Sequence, residues 1–284
     1  MALIARINRF PVKALSAESL SDVTLTRGYG LPFDRRFALA PAPFGTAPSA
    51  AWPWQPPDRF LTLKRYSRLA ALKFQLDDQT GLAGISVASD GHGTAPDRID
   101  ADILTEDGRA SISRFIELVL RGPAPPDPAP PDRVPHDQDL SVTMVDGGAG
   151  RPLTDRETPF VSIINQASVD AIRSDQSNDG DVTDRIKEDG LDPTRFRGNL
   201  VVDGWAPWAE TTLIGRHLNL GTTRLRVVEP IGRCAATHVN PETAHRDRNI
   251  LKSLKTQFGH TNCGVYAVVE KTGEVTVGDP VIAE

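Results

Sequence analysis

The stretch Gly232-Arg233-Cys234-Ala235-Ala236-Thr237-His238-Val239-Asn240-Pro241-Glu242-Thr243 follows an apolar alternation at Leu225 and Val227 and ends in Asn-Pro. Alternation with a period of two reads as a half-buried strand, and Asn-Pro as a turn. Cys234 is therefore predicted where a strand leaves its sheet, with the cation of Arg233 beside it. A neighbouring cation favours the thiolate, the form of cysteine that acts as nucleophile or metal ligand. The competing reading is a buried structural cysteine, because free cysteines are among the most buried residues.

Outward from this stretch, strand signals dominate. In the last half they fall at Phe160–Ile164, Leu200–Val202, Leu218–Leu220 and Leu225–Val227. Val265–Val269 and Val275–Val277 flank Lys271-Thr272-Gly273 as an expected hairpin. Ser168 and Asp247 are candidate caps for short helices, the second using Ile250, Leu251, Leu254 and Phe258 and closed by Gly259. Asp175–Asp181 reads as a polar loop. In the first third, strands are expected around Leu3–Ile7, Val23–Leu25, Phe37–Leu39, Leu61–Leu63, Leu72–Leu76 and Ile85–Val87, with a turn at Gly28–Pro32 and an irregular loop over 41–58. Ser111 can cap a helix whose Ile112, Phe115, Ile116, Val119 and Leu120 share one face. Many strands with short helices predict a mostly β, α+β chain built as a barrel or curled sheet, not as βαβ repeats.

Seven prolines between Pro123 and Pro135 mark the boundary, since proline fixes φ and removes backbone donors. The expected organisation is one domain over 1–121, a linker over 122–139 and a second domain over 140–284. A length of 284 residues with 39% hydrophobic and 24% charged composition fits a folded chain of this kind. A net charge of −5 gives no global pull toward nucleic acid or an anionic membrane. No apolar run approaches the ~20 residues of a membrane helix, and the first residues lack a signal-peptide order. With only two cysteines there is no disulfide framework, so a reducing, cytoplasmic setting is expected.

Two constellations compete for Cys234. Cys234-x3-His238 with His260-x2-Cys263 supplies two sulfur and two imidazole ligands for tetrahedral zinc, though a predicted helix separates the pairs. Alternatively, Arg195-Phe196-Arg197-Gly198-Asn199 stands at the entrance of the Leu200–Val202 strand. Lys13, in Phe10-Pro11-Val12-Lys13, and Arg35, in Phe33-Asp34-Arg35-Arg36-Phe37, are similar cations beside turns. Guanidinium forks suit phosphate, and asparagine offers donor and acceptor together, so these residues predict an anion site.

Arg195-Phe196-Arg197-x-Asn199, then Gly232-Arg233-Cys234-x-x-Thr237-x-Val239-x-Pro241-x-Thr243, then Val277-Gly278-Asp279-Pro280-Val281, in this order, resemble the MOSC family. The Lys13 and Arg35 motifs, with Leu61-Thr62-Leu63-Lys64, resemble the N-terminal β-barrel domain that precedes MOSC in one branch. That branch holds the mitochondrial amidoxime-reducing component and bacterial reductases of hydroxylated purines. The resemblance implies an N-terminal β-barrel-like domain packed on a MOSC β-barrel. It implies a molybdenum cofactor, a molybdopterin whose metal is held by the Cys234 thiolate. Lys13 and Arg35 would hold its phosphate end, Arg197 and Asn199 would contact it, Arg233 would flank the ligand, and Thr158 would fall near a hydroxyl position of the pocket. Departures from the family pattern stand at Ala14 (usually Ser), Gly198 (usually Pro), Arg156 (near an expected acid), Asn240 (usually Asp) and Ala244 (usually Gly).

The implied activity is reduction of N-hydroxylated small molecules: amidoximes, hydroxylamines and N-hydroxylated bases. Soft thiolates suit such a metal, Lys and Arg suit the phosphate, and the redox chemistry belongs to the cofactor. Cys263 alone cannot hold an iron–sulfur cluster, so the electrons are expected from a separate protein, a ferredoxin or a cytochrome with its reductase. Two alternatives stand beside this: a sulfur carrier using a Cys234 persulfide, and a non-enzymatic module that binds a pterin or a partner.

Overall fold

The computed structural model describes residues 1–43, 54–87, 97–121, 140–149, 152–172 and 190–284. The proline-rich 122–139 segment, the Asp175–Asp181 loop and part of the 41–58 loop lie outside the described residues. The first half forms β1 (Leu3–Arg9), β2 (Glu18–Leu20), β3 (Asp22–Leu25), β4 (Phe37–Pro41), β5 (Leu72–Leu76), β6 (Leu82–Val87), β7 (Arg98–Asp102) and α1 (Glu106–Arg121). Next come β8 (Val142–Asp146), β9 (Val161–Asn165), α2 (Gln166–Asp170), β10 (Leu200–Asp203) and β11 (His217–Leu220). The chain ends with β12 (Thr223–Gly232), α3 (Ile250–Phe258), β13 (Asn262–Lys271), β14 (Gly273–Thr276) and β15 (Val281–Ala283). The chain is mostly strand with a few short helices, as expected. Among the described residues no helix is long and apolar enough to cross a membrane.

The main sheet has the order β15-β11-β12-β13-β9-β10-β1-β2. Only β9 and β10 run parallel; the other pairs are antiparallel. β12 keeps Thr223, Leu225 and Val227 buried while the residues between them are half-covered. Its register against β13 shifts three times, the last between Pro230 and Gly232. Such bulges bend and twist a strand, curling the sheet and carrying the chain out of it just before Cys234. β1 pairs with β10, so the first strand of the chain belongs to the sheet of its last half.

One core lies on this sheet, gathering Ile4, Ile7, Leu200, Val227, Val265 and their neighbours. A second, around α1, β4, β5 and β8, also takes Val239 and Ala244 from the loop after Cys234. Ile112, Phe115, Ile116 and Val119 are buried in it, as their spacing predicts.

Five local expectations are corrected. Leu61–Leu63 is a turn: Arg65 and Tyr66 both donate backbone N–H to the Thr62 carbonyl (3.0 and 2.8 Å), and only Leu61 bonds to Leu39 of β4. Helix α1 starts before Ser111, capped by Thr105, whose Oγ1 accepts from the Gly108 N–H at 3.0 Å. Asn165 and Asn249 cap α2 and α3, because Ser168 is turned to Glu210 and Asp247 is held by Arg195. Finally, β14 forms no hairpin with β13; it crosses to pair with β3. Gly273 allows that crossing, since a Cβ there would meet the Thr222 backbone at 2.4 Å.

Candidate functional site

A cavity of about 410 Å³ opens at the end of β12, where the chain leaves the main sheet. Its walls come from the Lys13–Ala14 turn, Arg35, the 57–65 segment, the 154–162 segment, the Arg195–Asn199 turn, the end of β12 with Cys234, and Tyr266 of β13. All seven residues singled out from the sequence, Lys13, Arg35, Thr158, Arg197, Asn199, Arg233 and Cys234, line it.

Cys234 is exposed, whereas Cys263 is buried at 1%. The Cys234 carbonyl accepts from the Thr237 N–H (3.1 Å) and hydroxyl (2.9 Å), which fixes the backbone as it leaves β12. Burial pushes the Cys263 thiol up to about 12, so it stays protonated. It packs with Ile164, Val169 and Leu254. The zinc arrangement does not form: among the described residues no three His, Cys, Asp or Glu side chains converge. His260 accepts from the Asn262 N–H at 3.2 Å and lies edge-on to Trp208.

The cations are built from the turns flanking the sheet. Arg35 and Arg197 both take left-handed backbone conformations, φ 50° and 51°. Their guanidinium groups stack on Phe10 at 4.5 and 4.3 Å from the ring centroid. Arg35 donates to Asp34 (2.5 Å) and to the Arg197 carbonyl (2.7 Å). Arg197 donates from Nη1 to the Leu15 carbonyl at 2.7 Å, while its Nη2 is buried with no hydrogen-bond partner among the described residues. Burial, with the nearby charge of Arg35, lowers the Arg197 pKa to about 9. A buried donor left unmade costs about 1–3 kcal/mol, which an anion in the cavity would offset.

Lys13 donates to the Leu153 carbonyl (3.1 Å) and makes a short ion pair with Asp155. Burial lowers the Lys13 pKa, and Asp155 resists that shift. Burial would raise Asp155, but Lys13, with help from Arg35 and Arg197, holds it below the usual carboxylate range.

Asn199 and Arg233 line the cavity with their polar atoms engaged in the protein. Asn199 Oδ1 accepts from the Ser162 N–H and hydroxyl (3.1 and 2.7 Å), and Nδ2 donates to the Asn8 carbonyl (3.3 Å). It clamps β9 to β10 and β1. Arg233 donates to the carbonyls of Cys263 and Phe196, so its fork faces inward from Cys234. Burial lowers its pKa.

The pattern described as "MOSC domain" matches residues 153–282, and "MOSC N-terminal beta barrel domain" matches residues 1–108. The chain belongs to the MOSC-domain family. Similar proteins include a molybdenum cofactor sulfurase of Danio rerio, 36% identical over 37% of this chain and 13% of that protein. Mitochondrial amidoxime-reducing component 1 of Danio rerio is 36% identical over 36% of this chain and 33% of its own length. The Homo sapiens protein of that name is 29% identical over 44% and 36%. This MOSC chain therefore aligns with about a third or less of these relatives.

Its departures from the family pattern have local causes. A Cβ on Gly198 would already lie 2.1 Å from Ile164, so Ile164 fills the space a larger residue needs. Ala244 takes φ 59°, the left-handed conformation that favours glycine. Asn240 Oδ1 accepts from the Glu242 and Thr243 N–H groups (2.9 and 3.3 Å), the acceptor role of an aspartate. Arg156 pairs with Glu229 at 3.0 Å.

Sequence reasoning missed Asp155, Arg65 and Tyr266, and quoted Lys64 in a motif without giving it a site role. Only Tyr266 carried a signal: with Cys263, Val265, Ala267 and Val269 buried, alternation turns it to the opposite face of β13. There it stacks on Phe160, ring centroids 5.0 Å apart, and burial raises its pKa so that the phenol stays neutral.

Proposed function

We propose that this chain is a molybdenum-cofactor-dependent reductase of N-hydroxylated small molecules. The observation that carries the reading is one cavity lined both by an exposed thiol, Cys234, and by Arg197, whose buried Nη2 has no hydrogen-bond partner among the described residues. The donor set fits a molybdopterin: a soft sulfur ligand on one side, and forked or ammonium cations for an anionic end on the other. Cys234 would ligate the metal. Lys13, Arg35 and Arg197 would hold the phosphate, and the Thr158 hydroxyl would add a polar contact. Asn199 and Arg233 act by fixing the wall, since their own donors are occupied.

When bound, the cofactor supplies the two-electron redox chemistry. The protein binds and orients both cofactor and substrate. Conversion of N–OH to N–H and water takes two electrons and two protons. The neutral Tyr266 phenol is a hydrogen-bond donor on the cavity wall. The electrons come from a separate donor, a ferredoxin or a cytochrome with its reductase. One buried and one exposed free cysteine fit a reducing, cytoplasmic setting.

Cys234→Ser tests the reading. The variant keeps its fold, because the side chain is exposed, and loses both molybdenum and benzamidoxime reduction. A fully active variant without molybdenum would sink the proposal.

A second reading, a sulfur carrier with a Cys234 persulfide, draws support from the molybdenum cofactor sulfurase relatives. Its signature is an adduct of about 32 Da on Cys234 in protein free of molybdenum.

A further inference from the structure

Nearly every cation lining the cavity already has a protein partner. Lys13 is paired with Asp155, Arg35 with Asp34, Arg195 with Asp247 and Arg156 with Glu229. Lys64 and Arg65 differ: both are exposed, both line the cavity, and neither side chain has an ion pair or hydrogen bond among the described residues. They are adjacent in the turn that follows Leu63, at the mouth.

That turn is held firmly. Thr62 accepts from the Arg65 and Tyr66 N–H groups, and the buried Leu63 side chain anchors it in the core. From the other side Arg246, in the loop that follows Cys234, donates to the carbonyls of Leu63 (3.1 Å) and Lys64 (2.8 Å). The two cations are thus fixed to the same loop that sets Cys234. Charges on a rigid turn require less backbone ordering on meeting a ligand than charges on a floating loop. Asp58 and Asp155 are the exposed carboxylates on the same lining, and Asp155 is already paired with Lys13. With Asp155 neutralised by Lys13, two cations without a side-chain partner among the described residues stand against Asp58, which leaves the mouth positive in a chain of net charge −5.

We infer that Lys64 and Arg65 select substrates carrying an anionic group, a phosphate or a carboxylate, distal to the N-hydroxylated end. The inference rests on the reductase reading for the nature of that end. A guanidinium fork beside an ammonium matches the oxygens of either anion. The same chemistry has two other sources, a second phosphate on the cofactor and an acidic face of the electron donor, and the test separates them.

The test measures binding by calorimetry on the holoprotein with two probe pairs: benzamidoxime against 4-carboxybenzamidoxime, and N6-hydroxyadenosine against its 5′-monophosphate. The expected preference for the charged member is about tenfold, from two partly exposed ion pairs, and it shrinks with added salt. Lys64→Ala/Arg65→Ala abolishes the preference, and Lys64→Arg/Arg65→Lys, which keeps the charge and guards against misfolding, retains it. Equal affinity within both pairs overturns the inference, as does a preference that survives the double alanine variant. Cofactor released with a second phosphate also overturns it, by assigning the cations to the cofactor. So does a double alanine variant that binds all four probes unchanged but loses reduction by an acidic donor protein. Molybdenum content, measured on the same samples, tests the reductase reading separately.

Discussion

Replacing Arg197 with methionine separates a strut from a reserved donor. The substitution keeps an unbranched chain over Phe10 while removing the guanidinium. Lost with it are the Nη1 bond to the Leu15 carbonyl and the stack on Phe10. A hydrogen bond from a charged group contributes about 1.5–3 kcal/mol, and a cation–π contact about 0.5–2 kcal/mol. Against this, the variant no longer buries a charge or the unpartnered Nη2. The unmade bond alone is about 1–3 kcal/mol, and the effective penalty for a buried ion several kcal/mol. The two sides nearly cancel, so cofactor-free Arg197→Met protein should lie within about 2 kcal/mol of the parent in urea unfolding. Anion binding should behave differently. Losing a charge-assisted bond to phosphate weakens affinity about 10- to 100-fold, read as a raised Kd for inorganic pyrophosphate by calorimetry. A variant destabilised by more than about 4 kcal/mol, with pyrophosphate affinity intact, would refute the reasoning and make Arg197 a strut.

Two further outcomes follow from the same wall. Asn199→Ala removes three hydrogen bonds and leaves Ser162 and Asn8 with buried, unmatched groups, so it should lower unfolding stability by about 2–4 kcal/mol even in cofactor-free protein. Unchanged stability would return Asn199 to a purely ligand-facing role. Asp155 sets an acid limb: its folded pKa lies below the unfolded one, so the folded state binds fewer protons between the two. Its contribution is complete above the ordinary carboxylate pKa, near ~4, and is lost as pH falls through the lower folded value. Asp155→Asn should therefore be less stable than the parent near neutral pH, with the two curves converging in acid; parallel curves would exclude the Lys13 pair as their cause.

What the sequence shows and hides follows from how local each feature is. β12 and β13 are legible because one face of each is buried, and burial writes itself as alternation. Leu61–Leu63 carries the same alternation without being a strand, because its two buried leucines anchor a turn: after one bond from Leu61 to Leu39, the Thr62 carbonyl is taken by Arg65 and Tyr66. Asp247 and Asn249 are equally good caps by composition; the ion pair of Asp247 with Arg195 leaves Asn249 to do the capping. The Lys13–Asp155 pair joins residues far apart in sequence, and no spacing announces it.

The position of the cavity has a topological cause. Lys13 and Arg35 lie just beyond the end of β1 and just before β4, while Arg197 and Asn199 precede β10. Those two sets meet because β1 bonds to β10: Asn8 donates to the Asn199 carbonyl at 2.7 Å, and the Asn199 amide returns a bond to Asn8. Cys234 is brought to the same place by the bulged end of β12, and Arg246 ties the loop behind it to the Leu63–Lys64 turn. Lys13 and Arg35 thus come from the first half of the chain, Arg197 and the Cys234 thiol from the second, joined through one shared sheet. A change that loosens the β1–β10 pairing should weaken anion binding without touching a cavity residue, because the cations keep their chemistry but lose their common position.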